Sequence, residues 1–163
     1  MNTRIATAAD IPQLVELINR AYVAEAAFVR GQRTDRLDLN EKLSTPNMWF
    51  VIVETDDESK RIMGSVCIDC NGNRGHIGLL SVDPDFQGKG LGAKLLRAAE
   101  MHCRAQMCCP IIELEVVSTR TDLFGFYEHM GYERVGERPF PAPELLIQPA
   151  NLVVMYKVKS ANA

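Results

Sequence analysis

Residues 80 to 92 read Leu80-Ser81-Val82-Asp83-Pro84-Asp85-Phe86-Gln87-Gly88-Lys89-Gly90-Leu91-Gly92. An apolar run stops at Asp83-Pro84-Asp85, three glycines follow within five residues, and a helical pattern begins. Glycine lets a backbone approach a ligand closely and turn its N–H groups inward. A helix start adds unpaired N–H groups and the positive end of a dipole. Together these predict a phosphate or pyrophosphate site, to which Lys89 could add a charge-assisted contact. A glycine turn that only packs against a sheet is the competing reading.

Two nucleotide motifs fit less well. The Walker pattern G-x-x-x-x-G-K-[ST] is absent. Gly88-x-Gly90-x-x-Ala93 satisfies the relaxed dinucleotide form, with Glu113 or Glu115 about 20 residues on. Against that form, five residues, Asp83 to Gln87, intervene between strand and first glycine. Glu115 also falls inside a strand, and the strands upstream read as antiparallel rather than as a doubly wound set.

Working outward, Leu91, Leu95, Ala98, Ala99 and His102 or Cys103 share one helical face, and Pro110 ends the pattern. Ile111 to Val117 is a strand, so the helix is the crossover of a β-α-β unit and its two strands are parallel. Upstream, Met48 to Glu54, Ile62 to Asp69 and His76 to Val82 are β-rich runs joined by short polar turns, an antiparallel meander. Arg4 to Thr7 reads as a first strand. Ile11, Leu14, Val15, Ile18 and Tyr22 mark a helix with Asp10 as N-cap and Pro12 in its first turn. Glu25 to Thr45 reads as a loop with a second short helix. Downstream, Thr121 to His129 is a short helix, and Tyr132 to Gly136 and Asn151 to Lys157 are the last strands. The class is α+β: a mixed, mostly antiparallel sheet with one central parallel pair.

Length and charge narrow the function. The 163 residues suit a single domain spanning 1–163, and 47% hydrophobic residues can fill its core. With 18 basic and 21 acidic residues the charge is −3, so no basic footprint for nucleic acid exists, and the surplus leans toward a cationic ligand. No apolar run nears the roughly 20 residues that span a bilayer, and Met1 to Asp10 lacks a signal-peptide core, so a cytoplasmic location is expected. Five cysteines, with Cys108 and Cys109 adjacent, make a poor disulfide framework. Cys67-x-x-Cys70 has no second ligand pair, so buried free thiols and no metal are expected.

The stretch from Leu80 to Gly92 resembles motif A of the GCN5-related N-acetyltransferase (GNAT) family, [RQ]-x-x-G-x-[GA], through Gln87, Gly90 and Gly92. Leu114-Glu115-Val116 and Leu123-Phe124-Gly125-Phe126-Tyr127-Glu128-His129-Met130-Gly131-Tyr132 resemble the family's motif B. The resemblance implies a parallel strand pair splayed to hold acyl-CoA, with helices on both faces. It implies acetyl-CoA as cosubstrate, with main-chain groups of Leu80, Ser81 and Val82 along the pantetheine arm. Gln87, Gly88, Lys89, Gly90, Leu91 and Gly92 would hold the pyrophosphate. Arg120 stands where relatives often carry Asn, and could reach the cofactor.

It further implies an N-acetyltransferase in which an amine attacks the thioester directly and Tyr127 protonates the departing thiolate. Glu115, twelve residues before Tyr127, is a candidate base; His76 or a water relay are alternatives. The acceptor, an amine-bearing small molecule or peptide, would lie between Ala21 to Leu39 and Arg138 to Pro149. Those segments offer Tyr22, Glu25, Phe28, Phe140 and Glu144. No nucleic-acid or membrane partner is implied; a homodimer is compatible. From another class, a non-catalytic acyl-CoA-binding regulatory module would keep the groove without turnover.

Overall fold

The computed structural model describes residues 2–107 and 109–158. One seven-stranded sheet runs through the molecule, its strands lying side by side in chain order except that the last two are exchanged. The strands are β1 (Thr3–Ile5), β2 (Met48–Glu54), β3 (Ile62–Asn71), β4 (Arg74–Val82), β5 (Ile111–Val117), β6 (Glu133–Pro139) and β7 (Asn151–Val158). Four helices cover it: α1 (Ile11–Ala21), α2 (Arg36–Ser44), α3 (Leu91–Met107) and α4 (Thr121–His129). All strand pairs are antiparallel except β4 and β5. The expected α+β class with a single parallel pair is what the chain builds.

Strand alternation sorts the apolar residues into two cores, one per face. On β2, Val51 and Val53 pack with Leu95, Leu96, Ala99 and Cys103 of α3 and Phe124 of α4. Phe50 and Ile52 turn the other way, onto Leu14, Leu17 and Ile18 of α1 and Leu39 of α2. Each such side chain contributes about 1.5–3 kcal/mol by leaving water, so both helical layers are held by their apolar stripes. The same alternation separates Cys67 from Cys70, one in each core. Both are free and buried, so they cannot act as a pair. Burial pushes the Cys67 thiol up to about 12. Cys108 lies outside the described residues.

Several boundaries differ from the sequence expectation, each for a local reason. Asp10 does not cap α1 with its side chain; its carboxylate instead accepts from the Thr7 N–H at 2.7 Å and the Thr7 hydroxyl at 3.1 Å, and pairs with Arg4. That bonding closes a 3-10 turn, Ala8–Asp10, ahead of the helix. α1 ends at Ala21, and Tyr22 begins a second 3-10 turn. Tyr132 precedes β6 rather than opening it: its ring is buried and its hydroxyl donates to Glu100 of α3 at 2.9 Å.

The largest departure lies in β4, which is not a regular strand. Opposite β3 its partners jump from Cys67↔Gly78 to Ser65↔Ser81, so Leu79 and Leu80 oppose Val66 alone. Leu79 takes the left-handed conformation, φ 49°. This bulge reverses the faces: Ile77 packs toward α3, Leu79 toward α1, and Leu80 and Val82 toward α3 again. Pairing with β5 ends just before it, at Ile77↔Leu114. Beyond that point β4 pairs only with β3, and Glu115 to Val117 of β5 only with β7. The two central strands part, and a cleft opens between them.

Candidate active site

At one end of the cleft stands the glycine loop, and its entry is fixed by a buried carboxylate. Asp83 is 2% exposed and receives Arg61 at 2.7 Å, Arg20 of α1 at 3.1 Å and the Asp85 N–H at 3.0 Å. Gln87 donates its side-chain amide to the Val82 carbonyl at 3.1 Å, which ties the loop back to β4. Gly88 and Gly90 have φ of 73° and 75°, a region that costs other residues strain, and a Cβ on either would meet nothing within 4 Å. The glycines are therefore there for backbone direction rather than for packing. The first helical bond of α3 is Lys94 N–H to Gly90 carbonyl at 3.1 Å. Among the described residues the N–H groups of Gly88 to Ala93 have no protein acceptor. A row of free donors at a helix start fits the pyrophosphate of a nucleotide cosubstrate.

From this loop a cavity of about 690 Å3 runs between β4 and β5. Its walls near the loop are apolar, with Val82, Leu91, Leu123 and Phe126. Such a size and lining suit a long, mostly apolar arm with a few polar fixings.

In mid-cleft the cavity is lined by Tyr127 of α4, Glu115 of β5 and His76 of β4. The Tyr127 ring stacks edge-on against Phe126, centroids 5.0 Å apart, and Tyr132, 6.1 Å. Burial pushes its phenol above the usual tyrosine range, so the hydroxyl keeps its proton throughout neutral pH. Glu115 accepts from Arg138 of β6 at 2.9 Å, and His76 Nε2 lies 4.0 Å from its other oxygen. Glu113, two residues earlier on the same face, pairs with Arg74 at 3.0 Å and Arg138 at 3.1 Å. It is thereby committed to structure.

At the far end the segment after α1 meets the loop between β6 and β7. Arg30 N–H donates to the Leu145 carbonyl at 2.8 Å and Ile147 N–H to that of Phe28 at 2.9 Å, around an isolated bridge, Val29↔Leu146. The two segments thus form one wall. Glu25 reaches across the cavity to Arg120 at 3.3 Å, while Arg120 grips Asp122 through two bonds of 3.0 and 2.9 Å. Burial raises the Glu25 carboxyl, against the pull of Arg33 and Arg120.

Of the residues expected from sequence, the cavity brings together Leu80, Val82, Gln87, Gly88, Gly90, Leu91, Gly92, Glu115, Arg120 and Tyr127, with Tyr22, Glu25 and Phe140. The Ser81 side chain is buried outside this lining, its hydroxyl donating to the Leu79 carbonyl at 3.0 Å, which leaves the role expected of its main chain untouched. The bulge turned the side chain away. Lys89 does not line the cavity either; its ammonium sits over the Phe86 ring at 5.0 Å. Arg120 pairs with Asp122 and Glu25 and so bridges the cleft walls. Phe28 and Glu144 line no part of the cavity. Sequence reasoning missed Arg33 and Asp122; Arg33 was hidden in a charged stretch whose solvent-facing appearance gave no signal.

The chain matches the acetyltransferase (GNAT) family over residues 11–132. Among solved structures it resembles the ribosomal-protein-S18-alanine N-acetyltransferase of Escherichia coli, at 16% identity and TM-score 0.76, covering 99% of this chain and 96% of that one. A mutant of the spermidine N-acetyltransferase SpeG from Vibrio cholerae is similar at 17% identity and TM-score 0.75, covering 98% and 94%. A candidate streptothricin acetyltransferase from Bacillus anthracis, solved in complex with acetyl coenzyme A, is similar at 22% identity and TM-score 0.63, covering 74% and 68%. At such identities these likenesses are of fold. The family match spans three-quarters of the sequence and contains both the glycine loop and Tyr127, and this chain belongs to the GNAT acetyltransferase family.

Proposed function

We propose that the protein transfers the acetyl group of acetyl-CoA to a primary amine by direct attack within the β4–β5 cleft. The observation that carries this reading is the sharing of one cavity by the free N–H groups of the glycine loop and by Tyr127 and Glu115. The loop amides and the positive end of α3 bind the pyrophosphate, and the bulged end of β4 offers main-chain groups to the pantetheine arm and the thioester oxygen. The neutral amine attacks the thioester carbon, forming a C–N bond as the C–S bond breaks. Tyr127 gives its proton to the departing sulfur. Glu115, held in place by Arg138, accepts the proton that the amine loses, directly or through water. Because burial raises the Tyr127 phenol, the acid holds its proton at neutral pH.

Thermal stability measured with acetyl-CoA, CoA, NADH and ATP in parallel tests the groove. A ligand at 100 times its dissociation constant adds about 2.7 kcal/mol, a shift of several degrees for this size. Stabilisation by the CoA compounds alone, with CoA released when primary amines are supplied, is expected. Stabilisation by NADH but not acetyl-CoA would overturn the reading. CoA binding with no turnover across a broad amine panel would instead make the chain a binding module.

A further inference from the structure

Beside the cleft, a second cavity of about 760 Å3 opens between α1, the segment after it and the β6–β7 loop. The two share Tyr22, Glu25, Val29, Arg33, Phe140 and Pro141. A third hollow of about 520 Å3, under α2, is reached past Arg33, His76, Gly78 and Leu79. Arg33 is the residue on all three walls.

The charges on the outer wall are unequal. Arg20 is bound to Asp83 and Asp85, and Glu25 to Arg120. Arg30, Arg33 and Arg36 on the same wall make no ion pair among the described residues, nor does Glu16, although the charge of Arg33 acts on Glu25. Arginines therefore outnumber carboxylates on this outer wall although the chain carries −3 overall.

Arg33 is also held in position. Its N–H donates to the Asn19 side-chain oxygen at 2.8 Å, as does the Thr34 N–H at 3.1 Å, and the Asn19 amide donates to the Thr34 carbonyl at 2.9 Å. Its guanidinium lies over the Tyr22 ring, 5.1 Å from the centroid. Tyr22 and Glu25 both feel its charge, and the donors that remain along the guanidinium edge match the fork of a carboxylate. Val29, Phe140 and Pro141 supply apolar surface beside it.

We propose that Arg33 selects the acceptor, binding a carboxylate on an amine that also carries an apolar or aromatic body. This rests on the transferase reading above. A free amino acid and a peptide with an acidic residue next to its N-terminus share the chemistry.

The test uses the full chain. Acetylation kinetics compare phenylalanine, phenylalaninamide and the dipeptide amide Phe-Asp-NH2, and calorimetry with CoA-loaded protein compares N-acetylphenylalanine with N-acetylphenylalaninamide. The acids are expected to exceed their amides by about tenfold or more in kcat/KM and in affinity, because an amide leaves the guanidinium half-paired. Arg33→Ala should erase that ratio through KM, Arg33→Lys should keep part of it, and Arg33→Glu should reverse it. Preference for the free acid or for Phe-Asp-NH2 tells amino acid from peptide. Equal use of acid and amide, or a preference that survives Arg33→Ala, overturns the proposal. Product binding needs no turnover, so a failed transferase reading would show as absent acetylation while the carboxylate preference is still measured.

Discussion

The two ends of the cleft are built in opposite ways. The glycine-loop end is local: within ten residues, Asp83 to Gly92, the backbone is anchored, turned through two positive-φ glycines and delivered to a helix start. The far end is assembled from residues far apart in sequence, with Arg30 bonded to Leu145 and Glu25 to Arg120. A ligand common to a family can be served by a contiguous backbone motif. A ligand peculiar to one member needs side chains drawn from several segments, and these can change without disturbing the loop.

Four substitutions would break or sharpen this contrast. Gly90→Glu forces a side chain onto φ 75° and places a negative charge beside the proposed pyrophosphate site. Acetyl-CoA affinity by calorimetry should fall by about a thousandfold, while N-acetylphenylalanine still binds at the other end. Unchanged cofactor affinity would end the phosphate-site assignment.

Tyr127→Phe acts where the two ends meet. A lost general acid should lower kcat by about a hundredfold with little change in acetyl-CoA affinity. In the wild type no loss of rate from Tyr127 deprotonation is expected up to about pH 10, the ordinary tyrosine value, since burial moves the phenol above it. Full activity of the variant with chemistry limiting would remove Tyr127 from the mechanism.

Asp83→Ala removes the carboxylate shared by Arg20 and Arg61. It should cost about 2 kcal/mol in urea unfolding and raise KM for acetyl-CoA, since α1 and the loop are tied through it. A change in stability with no change in KM would mean that the loop holds its shape alone.

Asp10→Asn is distant from both ends. The Arg4 guanidinium holds the Asp10 carboxyl down at about 2, against an ordinary 3.8. Its contribution is therefore complete above pH 3.8 and is lost as pH falls toward 2, and the variant should lack that part of the acid slope. The expected cost near neutral pH is about 1 kcal/mol, with both ligand affinities kept. A loss of either affinity would show that the two ends communicate through the first helix.

Much of this was legible before any coordinates. The strands β2 and β5 and the helix α4 begin and end where their residues predicted, because alternation, glycine and proline act over a few positions. The parallel crossover followed from a helix between two strands. The bulge at Leu79 was not legible: a leucine with φ 49° leaves no mark in an apolar run, and it alone decided that Leu80 and Val82 face the cleft while Ser81 does not. Nor was the pairing of Arg120 with Glu25, 95 residues away.

The sequence by itself determined the family, the glycine loop and the position of Tyr127, since each rests on neighbouring residues and the backbone's local preferences. The tertiary structure alone decided where β4 and β5 part, which loops close the far wall and which arginine lines its mouth. Those depend on long-range pairings whose partners the chain does not announce, and on which charges are already neutralised when they meet.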